Sequence, residues 1–129
     1  MFPLNSKILI VDDMKGIRIW LQKSLNILGY TDLKEASNGE EALELLKQEK
    51  FDLVFLDIVM PKMDGIALLK KLKADGHFNS LPIIILSAET DGQLITEVIG
   101  LGISQYIIKP ATIPVLQKKM GDVFLAKKA

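Results

Sequence analysis

The 129-residue sequence predicts an open, doubly wound α/β fold: five parallel strands with helices on both faces. Three observations point there. Ile8-Leu9-Ile10-Val11, Leu53-Val54-Phe55-Leu56 and Ile83-Ile84-Ile85-Leu86 are continuous apolar runs, the pattern of strands buried on both faces. Amphipathic stretches of helical period separate them. The alternation recurs about every 25 residues, a length that suits one strand, one helix and two short loops.

Each element has its own signal. After the first run, Ile17, Leu21, Leu25 and Leu28 fall at helical spacing, and Gly29 is a stop. Trp20 sits beside that stripe as packing. Asp32 to Ala36 is a weaker strand. Ala42, Leu43, Leu45 and Leu46 form the inner face of the second helix, capped by Asn38 with Glu41 three residues on, as in a capping box. Ile66, Leu68, Leu69 and Leu72 mark the third helix. Leu94, Ile95, Val98, Ile99 and Leu101 mark the fourth, ended by Gly102. Gln105 to Ile108 is a second weak strand. Val115, Leu116, Val123 and Phe124 mark the fifth helix, which starts near Thr112 with Pro114 in its first turn and runs almost to Ala129. The expected organisation is therefore one domain over residues 1–129.

Composition narrows the function. Lys plus Arg is 16 and Asp plus Glu is 16, so bulk charge does not favour nucleic acid. With no cysteine and one histidine, disulfides and a zinc site are poorly served. No apolar run approaches the ~18 residues of a membrane helix, and the N-terminus lacks the pattern of a signal peptide; the cytoplasm is the expected compartment. His77 sits in a polar stretch and reads as solvated. Lys70, Lys71 and Lys73, Lys118 and Lys119, and the terminal Lys127 and Lys128 read as wet helix faces or a helix end.

In such sheets ligands bind beyond the carboxyl ends of the strands. The residues just past the apolar runs are Asp12 and Asp13, then Asp57, then Ser87, then Lys109 followed by Pro110. Three carboxylates, a hydroxyl and an ammonium thus share one edge. Crowded carboxylates resist ionising together, and a hard divalent cation such as Mg²⁺ relieves them. One carboxylate can then attack phosphorus and form an aspartyl phosphate. Mg²⁺, Lys109 and Ser87 are the kinds of group that neutralise the oxygens of a phosphoryl group in transfer.

The pattern Asp12-Asp13, Asp57 within Leu56-Asp57-Ile58-Val59-Met60-Pro61-Lys62-Met63-Asp64-Gly65, Ser87-Ala88 and Lys109-Pro110 resembles the receiver domain of response regulators, in its stand-alone CheY-like type. The resemblance spans essentially the whole chain. It implies a flavodoxin-like sheet of strand order 2-1-3-4-5. It implies that Asp57 accepts a phosphoryl group from a sensor histidine kinase. Asp12, Asp13 and Asp57 would hold Mg²⁺ with the backbone carbonyl of Val59. Ser87 and Lys109 would grip the phosphoryl oxygens, and Tyr106 would be a switch aromatic that turns inward with Ser87. Lys109-Pro110 would be cis, and Met60 to Gly65 would shape the loop after Asp57. Gly100 and Ile103 stand where the family favours small alanines; Val59 and Glu89 stand where receivers tune phosphoryl lifetime. Output would pass through the fourth helix, fifth strand and fifth helix to a downstream target, a flagellar motor or phosphorelay component among the candidates, with the chain a monomer.

Simpler roles exist for each residue. Asp12 and Asp13 can cap the first helix; Asp57 can be a turn residue, though an acid abutting four apolar residues is costly unless used; Ser87 can be a strand-end hydroxyl; Lys109 can be a surface lysine; Tyr106 can be half-buried packing. Two other functions compete with the phosphorylation switch. An aspartyl-nucleophile phosphohydrolase resembles a pattern with an acid two residues after the nucleophile, but Val59 occupies that position and transfers no proton, so no turnover enzyme is expected. A docking module that is never phosphorylated would predict a damaged acidic site, yet all five positions hold competent residues. The chain could also be the excised receiver of a longer regulator.

Overall fold

The three apolar runs become the three central strands: β1 (Ile8–Val11), β3 (Leu53–Leu56) and β4 (Ile83–Ser87), buried at every residue. The structure is a computed structural model that describes residues 1–60 and 63–128, with His77, Lys127 and Lys128 described by backbone alone. The expectations for Pro61, Lys62 and the side chains of His77, Lys127 and Lys128 therefore lie outside the described residues. β2 (Leu33–Ala36) and β5 (Gln105–Ile108) flank the sheet. Every pairing is parallel, as the apolar runs predict, and the order is β2-β1-β3-β4-β5, as the resemblance implies.

Helices α1 (Lys15–Ile27), α2 (Gly39–Gln48), α3 (Gly65–Ala74), α4 (Gly92–Gly100) and α5 (Ile113–Lys128) cover the sheet. Alternate strand residues feed two separate cores. Leu9, Val11, Val54, Leu56 and Ile85 meet Ala42 and Leu46 of α2, Leu68, Leu69 and Leu72 of α3, and Val98 of α4. Ile8, Ile10, Leu53, Phe55, Ile84 and Leu86 meet Leu21 and Leu25 of α1 and Leu116, Met120 and Val123 of α5. Each fully buried aliphatic side chain contributes about 1.5–3 kcal/mol relative to exposure. Trp20 packs at the edge of the second core, as expected.

The helix ends follow local chemistry. Asn38 Oδ1 accepts from Glu41 N at 2.9 Å and caps α2. The Glu41 carboxylate takes the Ser37 hydroxyl instead of completing a capping box. Gly29 adopts φ of +103° just past α1, where a side chain is strained. Asp64 Oδ1 caps α3 through Ala67 N at 2.9 Å.

Some expectations are corrected in detail. β2 begins at Leu33, and the Asp32 carbonyl instead accepts from Ile8 N. Of the apolar residues expected to bury α4, only Val98 is fully covered, and Ile99 is exposed. Five apolar residues make a stripe wider than the sheet edge can cover. In α5 Met120 is fully buried while Val115 is exposed. The N-terminal segment is also pinned: Phe2 is buried, its ring lies 5.3 Å from that of Phe124, and its carbonyl accepts the buried Tyr30 hydroxyl at 2.7 Å. Among the described residues no helix is long and apolar enough to cross a membrane.

Candidate functional site

Parallel strands carry their last residues to one edge, and the acidic residues gather there. Asp12 follows β1, held by its amide donating to the Ala36 carbonyl of β2 at 3.1 Å. Asp57 follows β3, its amide donating to the Val11 carbonyl at 3.0 Å. Asp12, Asp13 and Asp57 each place a carboxylate oxygen within 4.8 Å of the others. Asp12 and Asp57 are buried, and Asp13 is exposed at the rim. Hard oxygen donors at this spacing suit a small divalent cation, which keeps several waters beside a few carboxylates.

Lys109 reaches in from β5. Its Nζ donates to Asp12 Oδ2 at 2.8 Å and lies 3.5 Å from Asp57 Oδ2. The Lys109-Pro110 peptide is cis, and the Lys109 amide donates to the Ser87 carbonyl at 2.9 Å. Asp57 Oδ1 accepts from Ile58 N at 2.8 Å. Asp12 Oδ1 accepts from Met14 N at 2.9 Å, so Asp12 shapes the loop into α1 while Met14 stands at the helix cap without a side-chain bond. Among the described residues no buried side-chain polar atom lacks a partner.

Ser87 is buried at the end of β4, and its Oγ accepts from Glu89 N at 3.2 Å. Tyr106 is half-buried and donates its hydroxyl to the Glu89 carbonyl at 2.8 Å. Burial pushes the phenol above its usual range, opposed by the Ser87 hydroxyl. The Glu89 carboxylate is turned back onto its own loop, accepting from Thr90 N and Asp91 N. Val59 is 60% exposed at the rim of the site.

Electrostatics set Asp57 apart. Burial, the largest influence, pushes its carboxyl above the ordinary value of 3.8; the Lys109 ammonium opposes this and the Asp12 carboxylate adds to it. A carboxyl with a higher folded than unfolded pKa favours the native state when protonated. Its stabilising effect is present below the unfolded pKa and is lost as pH rises through the folded pKa. In chelator at pH 7, Asp57→Asn should therefore melt above wild type. The gap should close as pH falls toward the ordinary carboxylate range near ~4. A thermal melt series in which the gap widens with acid would contradict this.

Two glycines hold the loop that follows Asp57. Gly65 N donates to the Ile58 carbonyl at 2.7 Å, and Gly39 N donates to the Met63 carbonyl at 2.7 Å. A Cβ at either position would overlap the backbone of the β3–α3 loop. Gly65 belongs to the loop motif noted in the sequence. Gly39 is missed by sequence reasoning, because a glycine after a capping Asn reads as an ordinary helix start. Arg18 is missed too: a single arginine on an amphipathic helix carries no signal. Its guanidinium donates to the Asp12 carbonyl at 2.7 Å and to Glu35 Oε1 at 3.1 Å.

Comparison with known proteins shows the family. The response regulator receiver domain family matches residues 8–121. The chain belongs to the response regulator receivers. The receiver is 40% identical over 120 residues to chemotaxis protein CheY-3 of Vibrio cholerae, covering 93% of this chain and 92% of that one. It is 38% identical over 118 residues to chemotaxis protein CheY of Pseudomonas aeruginosa, covering 92% and 95%. A CheY-like receiver domain protein from Methanospirillum hungatei superposes with a TM-score of 0.86 at 27% identity, over 96% of this receiver and 97% of that chain. Receivers of this kind are parts of two-component signalling and not turnover enzymes, and they bind Mg²⁺ at an acidic pocket. The Asp12, Asp13 and Asp57 group has the donor chemistry for that ion.

Proposed function

We propose that this receiver is a phosphorylation-dependent switch in which Asp57 accepts the phosphoryl group. The observation that carries the reading is a buried Asp57 carboxylate facing both the Lys109 ammonium and the Asp12 and Asp13 carboxylates. An Asp57 oxygen attacks the phosphorus of a phosphohistidine on a sensor kinase. The new O–P bond forms as the P–N bond breaks, and the imidazole leaves with the electron pair and takes up a proton. Lys109 and the Ser87 hydroxyl hold the developing charge on the phosphoryl oxygens. Asp12, Asp13, Asp57 and the Val59 carbonyl would hold Mg²⁺, which supplies further positive charge there when bound.

The same reading makes Ser87 and Tyr106 the relay to the surface. Tyr106 of β5 is bonded to the Glu89 carbonyl in the β4–α4 loop, and Ile99 of α4 and Ile108 of β5 are exposed. A phosphoryl group that draws Ser87 inward changes what holds the β4–α4 loop and Tyr106, and so shifts the population of a target-binding state. The partners in this reading are a cytoplasmic histidine kinase and a downstream protein target, with residues 1–129 acting as one monomeric domain. The relatives named for chemotaxis make a flagellar-motor or phosphorelay output the class to test first.

The deciding experiment is an intact-mass spectrum after incubation with Mg²⁺ and acetyl phosphate. Wild type should gain one phosphoryl group, and Asp57→Asn or wild type with a chelator should gain none. Labelling of the Asn variant at the wild-type rate would remove Asp57 from its role.

A further inference from the structure

We propose that Arg18 and Glu35 form a positioning pair that holds the cation site from behind. The inference rests on the reading of Asp12, Asp13 and Asp57 as a Mg²⁺ site. Arg18 lies near the start of α1, with its side chain only 16% exposed. One arm of its guanidinium, Nη1, donates to the backbone carbonyl of Asp12 at 2.7 Å. Its Nε donates at 3.1 Å to Glu35, which stands on β2 opposite Ile10 of β1. A single planar group thus ties α1, the exit of β1 and the neighbouring strand together. Lysine, with a point charge and no fork, cannot reproduce both bonds in one geometry.

The tether acts on the peptide group and not on the carboxylates. Asp12 already spends Oδ1 on Met14 N and Oδ2 on Lys109. Its backbone orientation decides where that carboxylate, and that of the next residue Asp13, can point. Fixing the Asp12 carbonyl fixes both. Groups that orient metal-binding side chains typically change metal affinity by about tenfold or more when removed.

Glu35 has a second part. An unpaired guanidinium bonded to the Asp12 carbonyl would repel an incoming cation or swing toward the carboxylates. Glu35 takes that charge onto the far side of the loop. The pair therefore adds order to the site without adding net positive charge, in contrast to Lys109, which faces the carboxylates directly.

The test is a Mg²⁺ titration of metal-free protein, followed by amide chemical shifts, with acetyl phosphate labelling alongside. The variant is Arg18→Met with Glu35→Gln, which removes the pair and leaves net charge unchanged. Its Mg²⁺ dissociation constant should rise about tenfold, while its labelling rate at saturating Mg²⁺ stays within about twofold of wild type. Its melting temperature in chelator provides the folding control. Arg18→Lys keeps the charge and loses the fork, and should weaken Mg²⁺ by at least about threefold. A Mg²⁺ affinity within twofold of wild type in both variants overturns the proposal. So does a labelling defect in the double variant that saturating Mg²⁺ fails to rescue, because that marks a general disturbance of the site. Wild type that binds no Mg²⁺ overturns the reading of the site itself and not the pair alone.

Discussion

Gly65→Ala should cost about 3 kcal/mol or more of stability and slow phosphoryl uptake about 100-fold. A Cβ there would overlap the Asp57 carbonyl oxygen and come within 2.7 Å of Ile58 Cα. These are backbone atoms, so no rotamer change relieves the clash. The only response is movement of the β3–α3 loop, and with it the Gly65 N to Ile58 carbonyl bond. That loop carries Asp57, so the same displacement lowers stability and misplaces the nucleophile. A chemical-denaturation curve and a labelling time course on one sample would measure both. Gly92, by contrast, has nothing within 4 Å of its Cβ position, so Gly92→Ala serves as the control. Equal behaviour of the two alanine variants would mean that the contact at Gly65 does not constrain the loop.

Lys109→Met should move two properties in opposite directions. Without metal it leaves Asp12 and Asp57 facing each other with no counter-charge. Breaking a buried pair by removing one partner costs about 3–5 kcal/mol, so the metal-free variant should be strongly destabilised at neutral pH. Mg²⁺ should restore much of that loss, and should bind at least about threefold more tightly once the competing ammonium is gone. Phosphoryl uptake at saturating Mg²⁺ should nonetheless fall about 100-fold or more, because a donor aimed at the developing charge is missing. Melts with and without Mg²⁺, paired with labelling rates, separate these effects. Uptake at the wild-type rate with Mg²⁺ saturating would show that Lys109 serves only as a metal-free counter-ion.

Much of the fold is legible because burial on both faces writes a continuous apolar run. β1, β3 and β4 stand out as Ile-Leu-Ile-Val, Leu-Val-Phe-Leu and Ile-Ile-Ile-Leu, and a length of four to five residues arbitrates for strand over helix. β2 is faint because it lies at the sheet edge: Lys34 and Glu35 point to opposite faces and both are exposed, which breaks the apolar run. Periodicity also marks more positions on α4 than the sheet covers, since it reports an apolar stripe and not the width of the partner surface. The acidic edge is legible for a topological reason. Residues that follow parallel strands converge whatever their separation along the chain, which brings Lys109 to Asp12 across 97 positions. Arg18 escapes notice because its function resides in a bond to a backbone carbonyl, and no side-chain pattern records that. The buried Phe2 escapes because it lies in no periodic segment.

The two separate cores have a consequence for how such a sequence can change over time. Leu9 and Ile10 are covalent neighbours, yet one belongs to the layer of α2, α3 and α4 and the other to the layer of α1 and α5. A volume change at Ile10 is answered within its own layer, and the sheet backbone shields Leu9 from it. Substitutions should therefore co-evolve by layer and not by proximity in the chain. Tyr106 and Ile107 stand on opposite sides of that boundary, so the layer that holds the phenol can drift toward a new target while the layer behind Ile107 keeps its ancestral packing.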